Sequence, residues 1–283
     1  MSQPFKIFRL PSLALDAVFN QLTIEEIFNL SQCSKKCQTT MKQFTGRRAY
    51  ISSLTLGYIC IYTITDRTGW KDRTFEKVTD DCIHEKEDGS QVLREDLRLE
   101  IFKLLDLFRP TTSLEIYVYC VLEPLVSMVT SLNFNLTDVC ISDNVKPSFE
   151  LYKLSLSVFK DSTNLQFYAR PPEMFEYENI VKFTCDKIDI ASASWVTVDT
   201  IVNGFMDCRT VILRDCAILA NSMYPIIRKW LDSRSRLKKM DLYGIQGKVP
   251  IGDILRDIPY REVDEGYVIR REDGIEARIS CSE

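Results

Sequence analysis

The sequence predicts a protein of mixed helices and strands, of the α+β or α/β class. Three short helices come first, and a longer α/β region of repeated strand–helix units follows and ends in a β-hairpin. Between Phe8 and Phe44, apolar residues recur at helical spacing three times. Strand-like segments return every 27 to 30 residues between Leu151 and Leu242. Asp273-Gly274 separates two segments in which apolar and polar residues alternate, which is typical of a hairpin turn.

The first helix is predicted to follow Leu10-Pro11, because proline fixes φ and suits the entrance of a helix. Its apolar side has the spacing i, i+3, i+4 and i+7. The residues on that side are Leu15, Val18, Phe19 and Leu22. We expect the helix to end within residues 20–22.

The second helix is predicted to begin after Thr23, because Glu26 stands three residues later and the two complete a capping box. The residues expected to point away from its polar side are Ile24, Ile27, Phe28 and Leu30. A third helix is predicted from apolar spacings of four, four and three. Its apolar residues are Cys33, Cys37, Met41 and Phe44.

This order of residues resembles an F-box. The matching positions are Leu10, Pro11, Leu15, Val18, Phe19, Leu22, Ile24, Ile27, Leu30 and Ser34-Lys35. The resemblance implies that the first nine of these bind a Skp-family adaptor in a cullin-based SCF ubiquitin ligase. Leu13 departs from the pattern, since many F-boxes have an acidic residue there. Periodicity alone leaves open an ordinary helical cap on a larger domain, because it predicts element type and not partner.

Composition is that of an ordinary globular chain. The 283 residues carry a net charge of −4, so nucleic acid is not an expected partner. No apolar run approaches the ~20 residues of a membrane span, and the first residues lack the apolar region of a signal peptide. The ten cysteines are scattered, which predicts reduced thiols in cytoplasm or nucleus and no zinc site. No metal or cofactor is predicted.

We divide the chain into an F-box at 4–48, a connecting region at 49–112 and a recognition domain at 113–283. In the connecting region, Leu54–Thr65 is typical of one or two strands, and Asp66–Ser90 of a hairpin or sheet edge with a turn at Asp88-Gly89. Val92–Phe108 is predicted to form a long helix that ends at Arg109-Pro110.

Strand-like units repeat in the remaining chain. They are Leu151/Leu154/Leu156, Val181/Phe183, Cys208/Val211/Leu213 and Leu237/Met240/Leu242, with a weaker copy at Leu114/Glu115/Ile116. Between the later units, Ser194 is expected to cap one helix and Asn221 or Ser222 another. A strand–helix unit of this length has the period of leucine-rich repeats. The alternative is a non-repetitive α/β domain.

Residues from about 113 to 279 also resemble the type 2 F-box-associated (FBA) domain of the large nematode F-box family. The segments that carry this resemblance are Trp195–Asp199, Asn221–Leu231, Leu237–Met240 and Arg271–Ala277. The resemblance implies a domain that recognises substrates.

No catalytic set is found in the sequence. His84 is the only histidine and lies in a charged segment, so we interpret it as a solvated side chain. The basic residues from Arg228 to Lys239 are interpreted as a solvated helix end, with an acidic-partner patch as the alternative. We therefore expect a non-enzymatic substrate receptor with an unknown target protein. An adaptor-bound scaffold and an unrecognised hydrolase remain alternatives.

Overall fold

The structure is a computed structural model. It describes residues 9–47, 50–57, 59–66, 73–85, 91–108, 112–119, 122–132, 135–177, 181–247, 251–264 and 266–279. The chain divides into two compact units, Met1–Asn135 and Leu136–Glu283.

The first unit combines helices with a mixed sheet. Its elements in chain order are α1 (Ser12–Phe19), α2 (Ile24–Gln32), α3 (Lys35–Thr45), β1 (Tyr50–Leu56), β2 (Cys60–Asp66), β3 (Arg73–Thr79), β4 (Ile83–Glu85), β5 (Gln91–Leu93), α4 (Glu95–Phe108), β6 (Thr112–Val118) and α5 (Glu123–Leu132). The three predicted N-terminal helices are therefore confirmed as α1, α2 and α3. Cys33 is not part of the third helix, because the Ser34 hydroxyl caps α3 by accepting from the Cys37 N–H.

Four strands of this unit lie in the order β6-β1-β2-β3, and β4 and β5 pair separately. β1 runs parallel to β6 and antiparallel to β2, and β2 runs antiparallel to β3. Buried and half-buried residues alternate along β1 and β2, as they do when one side of a sheet faces a core. The predicted strand segment Leu54–Thr65 is therefore two strands, and β3 supplies the predicted sheet edge. The predicted turn at Asp88-Gly89 lies outside the described residues.

The predicted long helix begins later than expected, and this boundary was wrong. Val92 and Leu93 belong to β5, which pairs with β4 through Val92 opposite His84 and Leu93 opposite Ile83. The helix begins at Glu95. The carboxylates of Glu95 and Asp96 interact favourably with the positive end of the helix dipole. The apolar side of α4 is as predicted from Leu97 onward. The predicted stop at Arg109-Pro110 falls on residues that are not described.

The second unit is built on parallel strands. Its elements are β7 (Asn135–Ile141), α6 (Phe149–Phe159), β8 (Asn164–Phe167), β9 (Lys187–Ile190), α7 (Val198–Thr200), a π-helix at Ile201–Phe205, β10 (Thr210–Leu213), a 3₁₀ turn at Ala220–Ser222, α8 (Met223–Asp232), β11 (Lys239–Leu242), α9 (Ile251–Ile254), β12 (Tyr260–Val263), β13 (Gly266–Arg270) and β14 (Glu276–Ile279). Strands β7 to β11 follow one another in chain order, each parallel to the next.

Of the four main predicted repeat units, only the two later ones agree with the parallel strands, and the weaker copy Leu114/Glu115/Ile116 lies in β6. Cys208/Val211/Leu213 and Leu237/Met240/Leu242 coincide with β10 and β11. Leu151/Leu154/Leu156 was wrong as a strand, because Ser148 caps α6 and Tyr152, Leu156 and Phe159 bury one side of that helix. Val181/Phe183 was also wrong, because those residues precede β9 without forming a strand. The region is mixed α/β, and its description as leucine-rich-repeat-like stays a prediction.

The helix caps of the second unit differ from the prediction at one place. Thr197 rather than Ser194 caps the helix after β9, because the Thr197 hydroxyl accepts from the Thr200 N–H. Trp195 consequently lies before the helix instead of on it. Ser222 is the residue before α8, as predicted, but its hydroxyl makes no capping bond.

The predicted C-terminal hairpin is present and carries one more strand than expected. β13 and β14 pair antiparallel around Asp273-Gly274, and Gly274 takes a positive φ of 86° that suits glycine. β12 pairs with the other edge of β13.

Candidate functional site

Helices α1 to α3 enclose a small apolar core. The side chains buried in it are Phe19, Ile24, Ile27, Phe28, Cys37, Met41 and Phe44. The rings of Phe19 and Phe44 meet edge to face with centroids 5.3 Å apart, which joins the end of α1 to the end of α3. On the surface, Arg47 lies 3.2 Å from the Asp16 carboxylate.

The start of α2 is fixed by the predicted capping box. The Glu26 carboxylate accepts from the Thr23 N–H at 2.7 Å, and the Thr23 hydroxyl accepts from the Glu26 N–H at 3.1 Å. The hydrogen bond from the Thr23 backbone holds the pKa of Glu26 below its ordinary value, and the Thr23 hydroxyl adds to the effect. The two hydrogen bonds of the capping box orient the turn between α1 and α2.

Helix α3 is bound to a helix from much later in the chain. The Lys42 ammonium lies 2.5 Å from the Asp106 carboxylate of α4. The Thr45 hydroxyl is buried and donates to the Leu107 carbonyl oxygen at 2.7 Å. A buried hydroxyl that loses its hydrogen-bond partner costs free energy of folding. Helices α1 to α3 therefore depend on α4 for part of their stability.

The nine predicted adaptor-binding residues fall into two groups. Phe19, Ile24 and Ile27 are at most 3% exposed and form the internal core. Six others keep part of their side chain in solvent. They are Leu10, Pro11, Leu15, Val18, Leu22 and Leu30. The binding of an adaptor by these nine residues stays a prediction, and the structure distinguishes only which of them are buried.

Leu13 was named in the sequence only as a departure from the F-box pattern, and the structure leaves it exposed. Its side chain is 82% exposed on the first turn of α1, next to the exposed Pro11.

The described residues hold no group of three or more His, Cys, Asp or Glu side chains that could bind a metal. His84 is exposed on β4. The eight cysteines in the described part of the chain are free, and burial raises the pKa of the Cys60 thiol to about 12. A thiol with so high a pKa is a poor nucleophile at neutral pH. No helix among the described residues is long and apolar enough to cross a membrane.

Residues 7–45 match the family model of the F-box domain. The matched range contains α1, α2 and α3, the capping box and the partly exposed leucines described above. The similarity to the F-box domain thus covers the three N-terminal helices. Neither the curated proteins nor the solved structures provide a match to the chain. The F-box match ends at residue 45, so the nematode type and the type 2 FBA domain stay predictions.

Proposed function

We propose that this protein is the substrate-recognition subunit of an SCF-type E3 ubiquitin ligase. The F-box match at residues 7–45 carries the proposal, since F-box domains bind Skp-family adaptors in general. The partly exposed apolar residues of α1 and the turn before it support it, with Leu13 as an additional contact. The predicted recognition domain, residues 113–283, would hold a target protein of unknown identity.

The proposed mechanism is proximity. The F-box would fix the receptor on the adaptor, and the remaining chain would fix the target near a conjugating enzyme charged with ubiquitin. A target lysine then meets the thioester at high effective concentration. The conjugating enzyme supplies the chemistry, so the receptor needs no catalytic residue of its own.

The adaptor contact is tested by the double change Leu10→Ala with Pro11→Ala. Burying a leucine side chain is worth about 2 kcal/mol, so losing two apolar contacts weakens adaptor binding by roughly tens-fold or more. The measurement is recovery of purified Skp-family adaptor in a pull-down with the full chain. Neither residue belongs to the buried core, so the melting temperature should stay close to that of the wild type.

Leu154→Ala is the matched control, because Leu154 is a leucine that is 49% exposed on α6, outside the F-box. Its adaptor recovery should equal that of the wild type. Full adaptor recovery by the double variant would refute the assigned docking surface. A reconstituted ubiquitination assay then separates a receptor from an adaptor-bound scaffold, because a scaffold binds the adaptor without promoting ubiquitin transfer. Adaptor binding itself separates both from an unrecognised hydrolase.

A further inference from the structure

One side of strands β9, β10 and β11 stays open to solvent. Alternate residues of a strand point to opposite sides of the sheet. On one side, Ile188, Val211 and Leu213 are fully buried in the core. The residues between them point the other way, and most of these are half-buried or exposed.

Strand register places the open-side residues in three rows. Lys187 and Lys239 flank Thr210 in the first row, and Asp189 and Asp241 flank Ile212 in the second. Arg214 and Tyr243 continue the pattern just beyond the strands. Their N–H groups donate to the carbonyl oxygens of Ile190 and Leu213, both at 2.9 Å. We name the set Lys187, Asp189, Arg214, Lys239, Asp241 and Tyr243 the β9–β11 face.

The charges of the β9–β11 face are layered, with carboxylates beneath and cations outside. The Arg214 side chain is 46% exposed, whereas its partner Asp189 is only 5% exposed. The second pair has the same order, since Lys239 is 64% exposed and Asp241 is 24% exposed. A molecule that approaches this face therefore meets the cations first. The carboxylates hold those cations in position.

Arg214 is the most firmly held group of the face. Its Nε and Nη2 atoms donate to the two carboxylate oxygens of Asp189 at 3.3 and 3.1 Å. Its guanidinium also lies 5.5 Å from the centroid of the Tyr243 ring, which is 49% exposed. Arginine and tyrosine are enriched among the residues that dominate binding energy at protein interfaces. An arginine already fixed by a buried partner loses little freedom on binding.

Lys187 adds a third cation to this face. The described residues place no carboxylate within ion-pairing distance of its ammonium group. Lys187, Arg214 and Lys239 thus surround a region to which Ile212 and Tyr243 add apolar surface. We propose that this face binds an acidic polypeptide segment of the target, whose carboxylates pair with the cations while an apolar or aromatic side chain contacts Tyr243. This proposal rests on the proposed function and specifies the surface and the ligand class.

An acidic polypeptide fits this face better than a nucleic acid does. A nucleic-acid strand presents a continuous line of phosphates, and the carboxylates of Asp189 and Asp241 lie directly below the cations that would meet it. A peptide can place its few carboxylates at the three cations and neutral residues elsewhere. The exposed cations and the carboxylates beneath them therefore favour ligands whose negative groups are spaced apart.

The test is selection of a random peptide display library on the full-length protein. The expected result is enrichment of peptides in which aspartate or glutamate flanks an aromatic or aliphatic residue. Binding of one enriched peptide, synthesised with a fluorescent label, is then measured by anisotropy at low and high salt. Affinity should fall with salt, because the contacts are between exposed charges. No enrichment, enrichment without acidic residues, or preferential binding of a single-stranded oligonucleotide added as competitor would each overturn the proposal.

The matched variants locate the binding surface. Lys187→Glu with Lys239→Glu should weaken peptide binding by about tenfold or more, since a reversed charge repels the carboxylates. The neutral pair Lys187→Gln with Lys239→Gln should give a smaller loss and guards against a folding defect, which melting curves would also reveal. Lys229→Glu is the control, because Lys229 is exposed on α8 outside the β9–β11 face. Equal loss in Lys229→Glu and in the double variant would contradict a specific surface.

Adaptor pull-down with the same proteins keeps this test separate from that of the proposed function. The β9–β11 variants should bind the adaptor like the wild type. If the wild type fails to bind the adaptor, the ligase assignment fails while the peptide result stands. If peptide selection fails while adaptor binding persists, only the recognition surface is wrong.

Discussion

At the scale of single residues, Trp195 and Trp230 show that segments which carry the family resemblance contribute to the core of the second unit. Both are at most 7% exposed. The Trp195 indole donates to the Tyr152 hydroxyl at 3.1 Å, and the Trp230 indole donates to the Leu237 carbonyl oxygen at 3.0 Å. The residues that carried the family resemblance therefore include core residues. The indole N–H group of each tryptophan is paired by a hydrogen bond.

Trp230 also connects the C-terminal sheet to α8. The guanidinium of the buried Arg271, next to β13, lies 5.2 Å from the centroid of the Trp230 ring. The Arg271 guanidinium also donates to the Ser235 carbonyl oxygen at 3.2 Å and pairs with Asp273. Two segments distant in sequence are thereby held by one aromatic side chain and one cation.

Trp230→Ala should destabilise the protein by about 3–5 kcal/mol, because it leaves a cavity and an unpaired Leu237 carbonyl oxygen. The measurement is the midpoint of unfolding in urea, followed by tryptophan fluorescence and circular dichroism. Tyr243→Ala is the control, since that ring is half exposed and its removal should change the midpoint little. A Trp230→Ala protein as stable as the wild type would show that Trp230 does not contribute to the core.

The capping box predicts a dependence on pH at Glu26. Its pKa is lowered in the folded state, so its contribution to stability is complete above the unfolded value of about 4.3 and is lost as pH falls through the folded value. Glu26→Ala should therefore melt below the wild type at neutral pH, and the difference should shrink on acidification below about pH 4.

Two variants of the same turn control this measurement. Glu25→Ala removes an exposed carboxylate of the first turn of α2 that makes no capping bond, so its effect should be smaller. Glu26→Gln keeps an acceptor for the Thr23 N–H and should not show the acid-dependent loss. A difference between Glu26→Ala and wild type that is unchanged from neutral to acid pH would contradict the role of the charge.

At the scale of elements, the sequence predicted structure best where local signals decide it. The capping box, the three F-box helices and the Asp273-Gly274 turn each depend on residues within a few positions, and all are present. The start of α4 was mispredicted because pairing of β5 with β4 decides whether Val92 and Leu93 are helical. The repeat at residue 151 failed because the apolar residues that pack there are Tyr152, Leu156 and Phe159, whose spacings of four and three are helical.

The adaptor-binding role of the candidate site stays a prediction, and only the positions of its residues can be compared with the structure. All nine predicted positions lie in the first two helices and the turns before them, since the F-box pattern is a local one. Their division into core and surface was not predictable, because it depends on α3 and on contacts such as that of Phe19 with Phe44. The contribution of α4 was also hidden, since Asp106 and Leu107 lie some sixty residues from their partners in α3.

The attachment of α3 to α4 predicts that the F-box does not fold alone. A fragment ending at residue 48 leaves the Thr45 hydroxyl and its surroundings without α4, and such a short chain buries too little surface for stability. A fragment ending at residue 135 retains the whole first unit. We expect a cooperative thermal transition by circular dichroism for the longer fragment only.

A single substitution in the full chain tests the same dependence of α3 on α4. Thr45→Val keeps the side-chain volume but leaves the Leu107 carbonyl oxygen without its donor, which should cost about 1–3 kcal/mol. Thr39→Val is the control, because the Thr39 hydroxyl is exposed and bonds only within α3. A cooperative transition in the short fragment, or a Thr45→Val protein of wild-type stability, would show that the F-box is independent of α4.

At the scale of the whole molecule, the proposed division of labour separates adaptor binding from target binding. The adaptor surface is assigned to α1, α2 and the turn before them, and the target surface to residues 113–283. The link between α3 and α4 limits how this can be tested, because a transplanted F-box must still pack on α4. Lys42 and Thr45 therefore have to remain in any exchange.

Exchange of α1 and α2 for those of another F-box, with the buried Phe19, Ile24 and Ile27 kept, should leave the target set unchanged. The measurement is proximity labelling in cells with the chimera and the wild type. Because the exchange alters only residues outside 113–283, the two sets of labelled proteins should coincide apart from adaptor-associated ones. The same chimera with Lys187→Glu and Lys239→Glu should lose the shared targets but keep the adaptor. A target set that follows the donor F-box would place recognition in the N-terminal helices instead.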